Sequence, residues 1–164
     1  MQLDPERCRS LLFVPAGNER FLTSALRGDA DVIQIDLEDA IAPNQKEVAR
    51  EHAKKDIDAI VSAGRAVSVR VNAEKSLLEN DLDAIVSPGL SALTIPKMEN
   101  AEMVRELDDQ VTRLEESRMI PIGAIRFFAQ IESAMGILNV REIAKCSPRL
   151  AALGIGMEDL IAEV

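Results

Sequence analysis

The sequence contains no Trp and no Tyr, and four Phe are its only aromatic residues. Stacking platforms for single-stranded nucleic acid are therefore missing. Positive charge is also short, with 19 Lys and Arg against 28 Asp and Glu and a net charge of −9. Neutralising phosphates needs clustered cations, so nucleic acid is excluded as a partner. Cys8, Cys146 and a single His are too few for a disulfide framework or a zinc site. The two thiols are expected to be reduced, in a cytoplasmic protein. No apolar run approaches the ~20 residues that cross a bilayer. Near the start, Asp4, Glu6, Arg7 and Arg9 precede only a short apolar run, the wrong order for a secretory signal. No membrane partner is expected.

What is present is ordinary globular composition: 164 residues, 47% hydrophobic and 29% charged. This length reads as a single domain, residues 1–164. Short apolar runs alternate with amphipathic stretches. The runs are residues 11–14, 31–36, 66–72, 93–96, 125–131 and 150–155, expected as strands. Asn18 is placed to cap a helix carrying Phe21, Leu22 and Leu26. Pro43 opens a second helix carrying Val48, Ile57, Ile60 and Val61 that stops near Gly64. Weaker helical spacing follows at Leu77, Leu78, Leu82 and Ile85. Asn100 opens a helix over 100–116, another covers 134–145, and a last one begins near Glu158. Met98, Met103, Met119, Met135 and Met157 read as core filler.

Strands apolar on both faces, alternating with helices, give a parallel α/β sheet. Right-handed crossovers leave two forms, an open doubly wound sheet or part of a (β/α)8 barrel. Polar residues gather at the carboxyl ends of the strands: Asp36, Glu38 and Asp39; Arg70 and Asn72; Lys97; Glu132; Asp159. Sites on both folds sit at that edge. Five loaded strand ends fit a barrel better than one crevice.

Glu132 ends an apolar strand, and Asp159 follows the sixth strand through Gly154-Ile155-Gly156. Two carboxylates without nearby His or Cys make a hard-oxygen pair suited to Mg²⁺. The alternative is that Glu132 caps the next helix and Asp159 is merely an acidic residue of a helix start. Arg70, between Val69 and Val71, needs a carboxylate partner, either from a ligand or from Asp36 or Glu38 in an ion pair. The acidic run Asp36-Leu37-Glu38-Asp39 either orients metal-bound water or solvates a loop. His52 reads as a surface residue. Gly154-Ile155-Gly156 is not a dinucleotide fingerprint.

Six motifs in order then carry a resemblance: residues 9–15 (RSLLFVP), 36–40 (DLEDA), 69–72 (VRVN), 95–97 (IPK), 131–133 (IES) and 156–160 (GMEDL). Together they resemble the citrate lyase beta subunit-like branch of the HpcH/HpaI aldolase family, from Arg9 to Leu160. The resemblance implies a (β/α)8 TIM barrel and a Mg²⁺-dependent carbon–carbon lyase. It implies a CoA thioester substrate of citryl, malyl or citramalyl type, cleaved to an acetyl thioester and a 2-oxo acid. By motif, Glu132 and Asp159 would hold the metal, and Arg70 would bind the substrate carboxylate or carbonyl. Glu38 and Asp39 would hold metal-bound water, with Lys97 behind them, so Arg70 and Glu132 are the expected catalytic pair.

A whole barrel takes ~250 residues, so the expectation is a barrel cut after the sixth strand. The family's later acid/base residue is then missing, strands one and six are unpaired edges, and a homo-oligomer is expected. Two other activities stay open: a non-catalytic module that binds a ligand or partner, and a related thioester hydrolase or condensing enzyme.

Overall fold

The computed structural model describes residues 3–4 and 8–163. Six strands and six α-helices alternate along the described residues: β1 (Leu11–Pro15), α1 (Glu19–Arg27), β2 (Val32–Asp36), α2 (Lys46–Ser62), β3 (Ala66–Arg70), α3 (Lys75–Ile85), β4 (Ala92–Ile95), α4 (Ala101–Ser117), β5 (Arg126–Ile131), α5 (Ala134–Ile143), β6 (Leu150–Ile155) and α6 (Met157–Glu163). All neighbouring strands pair in parallel, in the order β1-β2-β3-β4-β5-β6. A doubly wound sheet reverses its strand order at a switch point. This sheet has no reversal, so the barrel-type winding left open by the sequence is the one adopted.

The local signals act as expected. The Asn18 side chain accepts a hydrogen bond from the Phe21 amide at 3.1 Å, and Asn100 accepts one from Met103 at 3.0 Å. Both satisfy orphan donors of a first turn. Pro43 opens a 3₁₀ turn, Pro43–Gln45, that leads into α2. Gly64, at φ 72°, turns the chain out of that helix where a side chain is disfavoured.

Strand alternation divides the sheet into two faces. Ile33, Ile35, Val67, Val69, Leu93, Phe127 and Ala129 pack against Leu22, Ile57, Ile60, Leu82, Ile85, Val104, Leu107 and Val111 of the helices. Each large side chain buried there contributes about 1.5–3 kcal/mol. The other face holds a smaller cluster of Leu3, Val32, Ala66, Ala92 and Phe128 with no helical residue in it. It is the inner face of the curved sheet.

Several expected core residues lie outside the core. Met98 is buried and Met103 half-buried, but Met119 is 93% exposed, and Met135 and Met157 are also exposed. Phe21 and Val48 are exposed on α1 and α2. In the edge strands Leu11, Leu12, Phe13, Leu153 and Ile155 are exposed, because β1 and β6 each have one neighbour. Apolar spacing marks a helix face or a strand, yet burial depends on whether another element covers it.

At the amino ends of the strands lies a buried ion cluster that spacing does not reveal. Arg149, 2% exposed, donates to both Glu115 oxygens at 2.9 and 2.6 Å, to Asp108 at 2.5 Å and to Thr112 Oγ1 at 2.7 Å. Its guanidinium also lies 5.7 Å from the Phe127 ring centroid. Glu115 in turn accepts from the Gly123 and Ile125 amides at 2.9 and 3.0 Å. This cluster ties α4 to the start of β5 and β6.

Candidate active site

The parallel register delivers the charged residues to one edge. Asp36 and Arg70, the last residues of β2 and β3, are register partners. Glu132 follows β5 directly, and Asp159 lies in the first turn of α6. Lys97 sits two residues past β4 with φ 53°, a strained conformation for a residue with a Cβ. Such strain persists only where surrounding contacts fix it. Here the Lys97 amide donates to Glu132 Oε2 at 3.0 Å, while its ammonium lies 3.6 Å from Glu38 and 3.4 Å from Asp159.

Arg70 takes up the protein ion pair that its buried position demanded. Its Nε and Nη2 donate to the two Asp36 oxygens at 2.8 and 2.5 Å. Nη1 faces Asp39 at 3.1 Å and Glu38 at 3.3 Å. Phe13 packs on the guanidinium, 5.1 Å from its carbon to the ring centroid. Burial opposes the charge on Arg70, but the Asp36 hydrogen bonds outweigh it and raise its pKa. Asp39 is exposed, so Nη1 is the part of the fork that a ligand can reach by displacing a solvated partner.

Glu132 does not cap α5: Ser133 does, accepting from the Gly136 amide at 3.1 Å. The Glu132 carboxylate lies against Gly156, where a Cβ would come within 2.3 Å of Oε1. Burial, then the nearby charge of Asp159, raises the Glu132 pKa. Both carboxylates thus belong to one electrostatic site, bridged by Lys97. Among the described residues no three His, Cys, Asp or Glu side chains converge closely enough to hold a metal alone. Mg²⁺ commonly takes only one or two carboxylates and fills its other positions with water or substrate.

Sequence reasoning missed the supports of the acidic loop. Lys46 donates to the carbonyls of Leu37 and Glu38 at 2.7 and 2.6 Å. Asn72 donates to the Leu37 carbonyl at 3.0 Å and to Asp81 at 2.7 Å, and Arg50 bonds Asp81 at 2.7 Å. Asn72 was already placed at this edge by the sequence, but its partners were not, and Lys46 shortly after the acidic run, at the start of α2, was a further signal.

Five carboxylates (Asp36, Glu38, Asp39, Glu132, Asp159) stand against three cations, Arg70, Lys97 and Lys46. Fully ionised, the edge carries two uncompensated negative charges. Glu38 registers this excess. Burial and then Asp39 push its pKa from 4.5 to about 7, against the pull of Arg70 and Lys97. Between those values the unfolded chain has lost a proton that the folded chain keeps. Stability should therefore fall as pH rises from about 4.5 to about 7, with no further change from this group above. Carboxyl ¹³C titration should place the Glu38 midpoint near 7, and Glu38→Gln should flatten the stability profile in that window. A midpoint at 4.5 would refute the buried, charge-crowded environment.

Among the described residues no helix is long and apolar enough to cross a membrane. The chain is 32% identical over 157 residues to citrate lyase subunit beta of Leuconostoc mesenteroides subsp. cremoris, covering 95% of this chain and 52% of that protein. It is 34% identical over 171 residues to an L-malyl-CoA/beta-methylmalyl-CoA lyase of Cereibacter sphaeroides, covering 98% and 51%. The chain thus spans about half the length of these relatives. The fold superposes on the Mycobacterium tuberculosis citrate lyase beta subunit complexed with oxaloacetate and magnesium, with a TM-score of 0.71 and 29% identity over 98% of this chain and 63% of that one. Residues 9–164 match the HpcH/HpaI aldolase/citrate lyase family, whose relatives above are named lyases, and with the strand-end charges in register the chain belongs to that family.

Proposed function

We propose that this chain forms the Mg²⁺-binding part of a carbon–carbon lyase that cleaves a 2-hydroxyacyl-CoA thioester to an acetyl thioester and a 2-oxo acid. The observation that carries this reading is the carboxylate excess around Glu132, Asp159 and Glu38, which a divalent cation would neutralise. Their hard oxygen donors fit Mg²⁺, and relatives carry magnesium with oxaloacetate or act on malyl-CoA by name.

When bound, Mg²⁺ supplies Lewis-acid polarisation of the ligand oxygen on which charge develops. Glu132 and Asp159 hold the cation, and Glu38 and Asp39 hold water around it. Arg70 Nη1 pairs with the carboxylate or carbonyl oxygen of the ligand in place of Asp39. Asp36 fixes the rest of the Arg70 fork, so the donor is oriented before the ligand arrives. Lys97 fixes Glu132 through its backbone amide and sets its ammonium beside both Glu38 and Asp159.

Calorimetric titration of oxaloacetate, with and without Mg²⁺, tests the assignment. Binding should require Mg²⁺, and Glu132→Ala should remove that requirement along with the binding. Equal binding in the presence of a chelator, or an unaffected Glu132→Ala, would overturn it.

A further inference from the structure

The loop that carries Glu38 and Asp39 is held through a carboxylate on another element, Asp81 of α3, which is completely buried. Its Oδ2 accepts from both the backbone amide and the side-chain Nδ2 of Asn72, at 2.9 and 2.7 Å. Its Oδ1 accepts from Arg50 Nε at 2.7 Å. The same Asn72 Nδ2 donates to the Leu37 carbonyl at 3.0 Å, so both of its hydrogens are used. The charge of Asp81 thereby fixes which end of the Asn72 amide faces Leu37. With that amide reversed, its oxygen would meet a carboxylate and a carbonyl, acceptor against acceptor.

Lys46 reaches the same carbonyl from α2, and it also bonds the carbonyl of Glu38. Burial lowers the Lys46 pKa, and Asp81 is the strongest of the charges that oppose this. Asp81 therefore acts on the Leu37 carbonyl twice, through Asn72 by hydrogen bonds and through Lys46 by charge. Holding α2 and α3 on the sheet does not require such a frame, since apolar side chains of similar volume often stabilise as well. What the frame supplies is one conformation of the turn after β2. We infer that Asp81 is a positioning residue, which fixes the acidic loop so that Glu38 and Asp39 stand at the charged edge before a ligand arrives. Its effect on binding rests on the lyase reading, whereas the fixing of the loop does not.

Asp81→Asn keeps the shape and removes the charge, turning one acceptor into a donor that faces Arg50 or Asn72. The Glu38 and Ala40 amides, which donate to Asp36 at 2.9 and 3.3 Å, report on the loop. In the metal-free chain their hydrogen exchange, followed by NMR, should speed up about tenfold, the worth of one buried charged hydrogen bond. Exchange at Leu93, inside β4, should rise by less. A role in stability alone would speed all three amides by the same factor; that result, or unchanged loop rates, would overturn the proposal. Asn72→Ala cuts the hydrogen-bonded route and leaves the Asp81–Arg50 pair in place. It should give the same loop-selective pattern, and it decides the matter where Asp81→Asn folds poorly. With Mg²⁺ present, oxaloacetate affinity should fall by about 10–100-fold in Asp81→Asn, as for other lost supports around a metal site. Unaltered affinity beside a loosened loop would overturn the positioning role. Failure of the unsubstituted chain to bind oxaloacetate would sink the lyase reading instead, and loop exchange would still decide for or against Asp81.

Discussion

Arg149→Met is expected to destabilise the fold by about 3–5 kcal/mol, measured by urea denaturation followed by circular dichroism. Met fills much of the volume of Arg149, so the loss comes from charge rather than from a cavity. Glu115 is fully buried, and without Arg149 its carboxylate keeps two backbone donors but no counter-charge. Asp108 loses its 2.5 Å partner as well. Adding Glu115→Gln should recover part of the loss, because the amide oxygen still accepts from a backbone N–H while the stranded charge is gone. Neighbouring groups of this kind are coupled, so the double variant should cost less than the two single changes summed. A loss below about 1 kcal/mol would mean that water reaches Glu115 and the cluster is not dry.

That cluster also shows where sequence reading stops. Residues 125–131 were legible as a strand because their apolar run has the right length, and β5 occupies Arg126–Ile131. Asn18 and Asn100 were legible as caps because capping acts within three residues. Arg149 and Glu115 lie 34 residues apart, and no local pattern links them. Their pairing follows from the parallel winding that sets α4 beside the start of β6. Burial failed for the same reason: Met135 and Met157 read as core filler, but each is about half exposed.

At the charged edge, chemistry was legible and occupancy was not. The residues at the strand ends were identifiable because a parallel sheet sends all its carboxyl ends one way. The sequence left Arg70 a choice between a ligand and an ion pair with Asp36 or Glu38, and the structure gives most of its fork to Asp36 while leaving Nη1 beside Glu38 and the exposed Asp39. Lys97 was expected to stand behind the acidic residues. Its ammonium lies between Glu38 and Asp159, and its backbone amide donates to Glu132. The strained φ that allows both contacts comes from tertiary constraint, which no single-residue propensity reports.

The glycine at 156 supports a second large effect. Gly156→Ala should abolish Mg²⁺-dependent oxaloacetate binding about as fully as Glu132→Ala, on the order of a hundredfold, since misplacing a binding group by ~1 Å costs that much. The new methyl would lie 2.3 Å from Glu132 Oε1, 2.4 Å from Cγ and 2.6 Å from Cδ. Real side chains do not approach so closely, and because Cγ is also hit, rotation of the carboxylate alone gives no relief. Glu132 must swing away, breaking its 3.0 Å bond from the Lys97 amide. Lys97 then loses the contact that fixes its strained backbone, and the space between Glu38 and Asp159 loses its shape. Stability should suffer less, by about 1–3 kcal/mol as for other overpacked positions. Denaturation and calorimetry on the same sample separate the two effects. A folded Gly156→Ala chain that binds oxaloacetate within about threefold of the unsubstituted one, on the scale of that hundredfold expectation, would show that Glu132 does not act from its place against this glycine.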